Sequence, residues 1–329
     1  MSLAKWSMGL WAGTMLAWSL ASLVACSASN DAEEIAPNGE VHYGPAGNND
    51  SDDSGKKDSD KKDSDKKDSG KNKKDSTDVE PSDSLDIEQV SLFGDSTEGL
   101  EFVYIPSISF NRGATYSISS YYIATTEVTQ ELYKEVVGSL PKQDKVKDSL
   151  PVVNVSWYDA VLFCNELSKL VGLDTVYSYK SVGDENFLED LKIDYSVEGI
   201  RLPTEIEWEV AAHGGVYESA YYWGTEPASN YAYYRQTKGP TEVAQFIPNA
   251  YGLYDMAGNV AEWVNDWYAS YSTKDEENPV GPAIGTSKCV RGGGWTDKVA
   301  KIAPKERDKK DPLYHGVTVG FRIAYSKGF

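Results

Sequence analysis

The chain has 329 residues, 40% of them hydrophobic, with 51 acidic against 32 basic side chains and a formal charge of −19. That supplies one sizeable core and hardly two once the long polar segment near the amino terminus is set aside. The acidic excess excludes nucleic acid as a partner, because phosphate recognition needs a clustered basic surface; it reads instead as solubility.

In chain order, residues 1–25 read as a secretory signal. Lys5 precedes an apolar run that begins at Trp6, and Leu23-Val24-Ala25 form a small-residue cleavage site ahead of Cys26. A cysteine at that point marks the lipoprotein type, so the Cys26 thiol is expected to carry a diacylglycerol and to attach the mature chain to a membrane through that lipid. A plain transmembrane anchor is the bland alternative: the run is long enough to span marginally, but its flank is polar and acidic rather than basic. Ser27, not Asp, follows the cysteine. This resembles an outer-membrane sorting signal, and the expected location is the cell envelope, lipid-anchored at the outer membrane.

Residues 26–97 are poor in large apolar side chains, and their centre repeats Lys56-Lys57-Asp58-Ser59-Asp60, Lys61-Lys62-Asp63-Ser64-Asp65 and Lys66-Lys67-Asp68-Ser69-Gly70. Such a segment has nothing to bury and cannot offset its ordering entropy. The expectation is a disordered tether reaching on the order of 45–50 Å as a flexible coil. Each Lys pair carries its own Asp neutralisers, which argues against a role as ligand for anionic polymer or lipid.

A globular domain is expected over residues 98–329. Residues 101–106 and 121–124 read as short strands. Thr129 resembles the N-cap of a helix through Val137, stopped at Gly138. Ser156 and Asp159 cap the clearest helix, in which Ala160, Phe163, Cys164, Leu167, Leu170 and Val171 recur at helical spacing until Gly172. Cys164 on that stripe is a core residue or half of a disulfide. Cys289 is the other free candidate, and the spacing leaves their pairing open. Thr204 and Glu207 form a capping box for a third helix, ended by Gly214-Gly215. Beyond it, periodic helix nearly vanishes among Gly, Asn, Trp and Tyr. Long irregular stretches need staples, and 9 Trp with 22 Tyr supply apolar area with polar tips. Of the three histidines, His42 lies in the tether, and His213 and His315 lack a second His at ligand spacing; both read as ordinary network residues.

Six motifs in order carry a resemblance: Val153-Asn154-Val155-Ser156-Trp157, Arg201 to Glu205 (Arg-Leu-Pro-Thr-Glu), Gly252-Leu253-Tyr254-Asp255, Gly258-Asn259 with Glu262-Trp263, Arg291-Gly292-Gly293, and Gly320-Phe321-Arg322. Together they resemble the formylglycine-generating enzyme, or sulfatase-modifying factor, family over about residues 100–325. The resemblance implies an α+β fold related to C-type lectins and rich in irregular structure. Its enzymes turn a sulfatase cysteine into formylglycine with copper held by two thiolates, the soft ligands that Cu(I) requires. The matching positions here are Asp297 and Ile302, and Gly294 stands for the motif serine. No copper and no catalytic residue are therefore expected, and the leading expectation is a binding or scaffold domain for an envelope protein or glycan. A periplasmic or surface tailoring oxidoreductase of the same family, like the pyoverdine-maturation protein, is the alternative, and a formylglycine-generating sulfatase activator ranks last. Tyr231, Tyr233, Tyr234 and Trp267-Tyr268 form a possible sugar-stacking platform, or else pack among the loops. Asp297 is expected to pair with Arg291 or Lys298, or to face the cavity. The family also implies one structural calcium, held by the Asp255 side chain, the Gly258 and Val260 carbonyls and the Glu262 carboxylate. The competing reading of that segment is a helix N-terminus with dipole-complementing acids. Of a second family calcium site only Asn230-Tyr231 remain.

Overall fold

The computed structural model describes residues 89–90 and 100–329. Cys26, His42, the Lys/Asp/Ser repeats and the rest of the expected signal and tether lie outside the described residues. Those described belong to one unit spanning Asp78–Phe329.

Local capping sets the helices. Thr129 accepts from Leu132 N ahead of α1 (Gln130–Val137), which Gly138 closes at φ 87°. Ser156 and Asp159 exchange both bonds of a capping box at the head of α2 (Trp157–Leu170). Thr204 and Glu207 do the same for α3 (Glu205–His213). All three expected helices form with the expected caps.

A five-stranded sheet runs in the order β1-β2-β3-β9-β4, from β1 (Gln89–Val90), β2 (Phe102–Ile105), β3 (Tyr121–Ala124), β4 (Gly199–Arg201) and β9 (Ala324–Ser326). Every neighbour pair is antiparallel. β1 falls within the segment read from sequence as tether, yet Gln89 and Val90 pair with Val103 and Phe102. A second sheet, β7-β6-β5-β8, holds β5 (Ala261–Trp267), β6 (Lys288–Arg291), β7 (Asp308–Lys310) and β8 (Val319–Phe321). β5 and β8 are parallel, the other pairs antiparallel, and the β5–β6 register shifts between Trp263 and Trp267. α2 packs on β4 and α1, and its stripe joins Phe102, Trp263 and Phe321 in the main core.

Three arginines are among the largest fully buried side chains, beside Trp157, Trp208 and Trp263. Each meets carboxylates. Arg201 forks onto Glu207 at 2.6 and 2.7 Å. Arg291 reaches Glu209 at 2.6 Å and Glu205 at 3.3 Å. Arg322 holds Glu262 at 2.7 and 2.8 Å. Buried charge persists only with such partners, so these pairs staple the irregular half of the chain. Cys164 and Cys289 are both free thiols, one in each of the two main core clusters.

Candidate functional site

The cleft around the positions singled out in the sequence, Asp297 foremost, begins where β6 ends. After Arg291 the backbone turns through Gly292 and Gly293 at φ 83° and 65°, a region L side chains rarely enter. A Cβ on Gly293 would also strike Lys301 O and Ile302. Trp295 is pinned on three sides: its N–H donates to Asn259 O at 2.7 Å, its carbonyl accepts from Gln236 N at 2.7 Å, and its ring Nε1 reaches Val317 O at 3.2 Å. Beside it opens a cleft of about 360 Å³, whose charged lining is Asp297, Lys301, Glu306, Arg307, Asp308 and Lys310.

Asp297 and Ile302 part company. Asp297 reaches the cleft, but its Oδ2 accepts Gly294 N at 2.8 Å across its own turn, and its N–H returns to Gly294 O. The expected ion pair with Arg291 or Lys298 does not form. Arg291 lies beneath, consumed by Glu205, Glu209 and Pro304 O. Ile302 is fully buried against Trp223, Ala232 and Ala257. Neither cysteine is among the cleft's lining residues. Burial pushes both thiols far above the usual range, so neither is a ready thiolate.

Behind the cleft, two carboxylates from α3 meet a set of guanidiniums. Glu205 accepts from Arg307 at 2.5 and 2.6 Å, from Arg291, and from the Cys289 thiol at 3.2 Å. Burial raises its pKa, but Arg291 and Arg307 outweigh burial and hold it below the usual carboxylate range. Glu209 takes Arg112, Arg291 and the Tyr271 hydroxyl. None of Glu205, Glu209 or Arg112 was singled out as a site residue from sequence, because their partners lie 62 to 102 residues away in the chain.

The segment expected to hold calcium is not a helix N-terminus but the tight loop entering β5. Asp255 and Asn259 adopt φ 58° and 52°, which short polar side chains tolerate, and Gly258 lies at φ 85° with Tyr233 O where a Cβ would stand. Glu262 accepts Trp208 Nε1 at 2.6 Å as well as the Arg322 fork. Arg322 also donates to the carbonyls of Ala124, Thr125 and Tyr254. Asp255 accepts from Ala244 N at 2.7 Å through Oδ2. Glu127, absent from the sequence reading, accepts from Asn259 Nδ2 and Val260 N. Burial, then Asp255 and Glu262, push Glu127 well above the usual carboxylate range, and burial brings Asp255 up to about 6. Three buried carboxylates thus face one guanidinium, an arrangement short of positive charge. Asp255 Oδ1 and one lone pair of Glu262 Oε1 stay uncommitted, so the expected set suits a hard, oxygen-seeking cation. Among the described residues no three His, Cys, Asp or Glu side chains are placed to hold one metal ion together, so such a cation would need main-chain oxygens to complete its shell.

The aromatic platform does not assemble. Tyr231 stacks on Trp223 at 5.6 Å, Tyr233 packs on Phe246, and Tyr234 joins the Ile302 cluster. Trp267, partly buried, lies over the core residue Trp157, and Tyr268 receives Arg307 and Lys309 on its ring. His213 reaches Val216 O and His315 reaches Asp159, both local or structural contacts.

Fold and cleft together define a C-type lectin-like α+β domain with a charged surface cleft. The chain belongs to the sulfatase-modifying factor enzyme 1-like domain family, whose model matches residues 96–327. The serine/threonine-protein kinase pkn1 of Chlamydia pneumoniae is 43% identical over 130 residues, 38% of this chain and 21% of that protein, so the chain spans about a fifth of that relative's length. Chaperone protein LppX of Paenibacillus barcinonensis is 30% identical over 271 residues, 72% of this chain and 93% of that one. Among solved structures, Treponema denticola variable protein 1 superposes with a TM-score of 0.62 at 32% identity, over 73% of this chain and 98% of its own.

Proposed function

We propose that this chain is a lipid-anchored envelope protein whose sulfatase-modifying-factor domain binds a surface partner and does not oxidise cysteine. One observation carries the reading. Where the family places two thiolates, this chain has a carboxylate folded onto its own turn and an isoleucine sealed in the core, while the charged cleft above them remains open. A carboxylate and an alkyl group offer Cu(I) no soft ligand. The cleft's mixed charge suits a polar partner. The relative matched along most of its length is a chaperone by name, which favours a protein over a glycan as occupant. In the same reading, Asp255, Glu262 and the Gly258 and Val260 carbonyls hold a structural calcium, which would supply the positive charge that the Glu127–Asp255–Glu262 group lacks.

The test uses the full chain. Supplied with Cu(I), reductant, oxygen and a peptide carrying Cys-x-Pro-x-Arg, it should leave the cysteine unmodified by mass spectrometry; metal-dependent aldehyde would return the protein to the oxidising class. Asp297→Asn keeps an acceptor for Gly294 N but removes the charge. Retention on extracted surface proteins should fall in that variant with melting unchanged, and undiminished retention would take the cleft out of the reading.

A further inference from the structure

A second cavity, of about 500 Å³, shares no lining residue with the first and is bordered by the loop of residues 280–285. Tyr158, Leu188, Leu191 and Ile193 form one wall, and Trp267 another. Its rim carries Ile284 and Val280, 85% and 37% exposed. Solvent-facing aliphatics at the mouth of a cavity of this size are the usual dress of a small-molecule site.

The polar groups of this pocket gather at Asn265. Lys288 is only 1% exposed, and its Nζ donates to Asn265 O at 2.8 Å. Two faces of the ammonium are covered by Trp157 and Trp267, with ring centroids at 3.7 and 4.0 Å. No ion pair joins Lys288 to a carboxylate among the described residues. Its acidic neighbour Asp266 uses Oδ2 to accept Glu205 N. Burial pushes Lys288 down to about 7, with Asp266 opposing. Asn265 Nδ2 donates to the Tyr195 hydroxyl, whose own proton meets no acceptor among the described residues. A buried ammonium and a phenol are thus held at one residue beside an apolar chamber, and the pairing they lack is an anion.

We propose that this cavity binds a small apolar monocarboxylate, its hydrocarbon body against the Tyr158–Leu191 wall and the Ile284 rim, its carboxylate between Lys288 and Tyr195. An alcohol head group would leave the ammonium without a counter-charge, and an amine would set like charges together. The site is independent of the Asp297 cleft and stands or falls apart from the reading given to it.

Titration calorimetry on the full chain with octanoate, octanol and octylamine tests it. Octanoate should bind at least about tenfold more tightly than octanol, a margin set by one charge-assisted hydrogen bond, and octylamine should not bind. Ile284→Glu changes only an exposed rim position and should weaken octanoate at least tenfold with melting unchanged. Lys288→Met, where it folds, should equalise octanoate and octanol. Absence of octanoate binding, equal affinity for octanoate and octanol in the wild type, or an Ile284→Glu variant that binds normally would overturn the proposal. So would an apolar peptide with a free terminal carboxyl that outbinds octanoate, since the occupant would then be a chain end.

Discussion

Replacing Glu262 with Ala probes a fully buried carboxylate that ties together Trp208 and Arg322. Its two oxygens accept three N–H groups, from Trp208 and twice from Arg322, at 2.6 to 2.8 Å, with both residues of the pair fully buried. Breaking a buried pair by removing one partner costs about 3–5 kcal/mol, because the other charge is left behind. An orphaned indole N–H adds about 1–3 kcal/mol. Two features of the structure pull the figure back. Arg322 keeps three carbonyl acceptors, and Glu127 and Asp255 lose a like charge. A net loss of about 3–5 kcal/mol follows, roughly 6–20 °C in Tm for a domain of this size. Thermal unfolding followed by near-ultraviolet circular dichroism reads it, since Trp208 is a buried reporter. Repeating the scans in chelator adds the calcium arm: wild type should lose several degrees and Glu262→Ala should not respond. A loss under about 1 kcal/mol would refute the argument from the Arg322 pair, whereas a wild-type curve indifferent to chelator would remove calcium and leave the pair standing.

Two further outcomes follow. Burial, with Glu205 adding, pushes Asp266 up to about 8 from an unfolded value of 3.8. The native state therefore binds a proton that the unfolded chain has released, and this contribution to stability falls as pH rises from about 4 to 8, by at most about 1.4 kcal/mol per pH unit. Asp266→Asn keeps the acceptor for Glu205 N and should gain on wild type across that window; parallel stability curves would contradict the burial argument. Cys26→Ser should release the chain from the membrane fraction and change its mass by the lost lipid, and a variant that stays membrane-bound with unaltered mobility would end the lipoprotein reading.

How much of this was legible in the sequence depends on the range of the interaction. The three helix starts rest on side chains bonding backbone three residues on, so Thr129, Ser156 and Thr204 announce them. β2 and β3 are apolar enough to show. β6, by contrast, reads Lys-Cys-Val-Arg with all four residues buried, and nothing local says that two cations can be buried there. Lys288 needs the rings of Trp157 and Trp267, and Arg291 needs carboxylates from α3. The motif spacing singles out Asp297 and Ile302 as the positions to inspect. Where Asp297 points was not legible, because the partner expected for it, Arg291, is claimed by residues 82 and 86 positions away.

The buried arginines and the scarcity of regular structure are one fact seen twice. A backbone that leaves helix and sheet leaves carbonyls without N–H donors, and an interior that tolerates them needs donors brought by side chains. Arg322 serves two such carbonyls, those of Thr125 and Tyr254, and Arg291 one; Trp263 and Trp295 each serve another through Nε1. A guanidinium placed there must be neutralised, which calls Glu205, Glu207, Glu209 and Glu262 into the interior with it. None of these staples passes through residues 297 or 302. The side chains there, a self-capping aspartate and a core isoleucine, could therefore be exchanged without touching what holds the loops. Ile302 even adds apolar contact beneath Gly293. A domain stapled in this way can vary the side chains at residues 297 and 302 and keep its cleft.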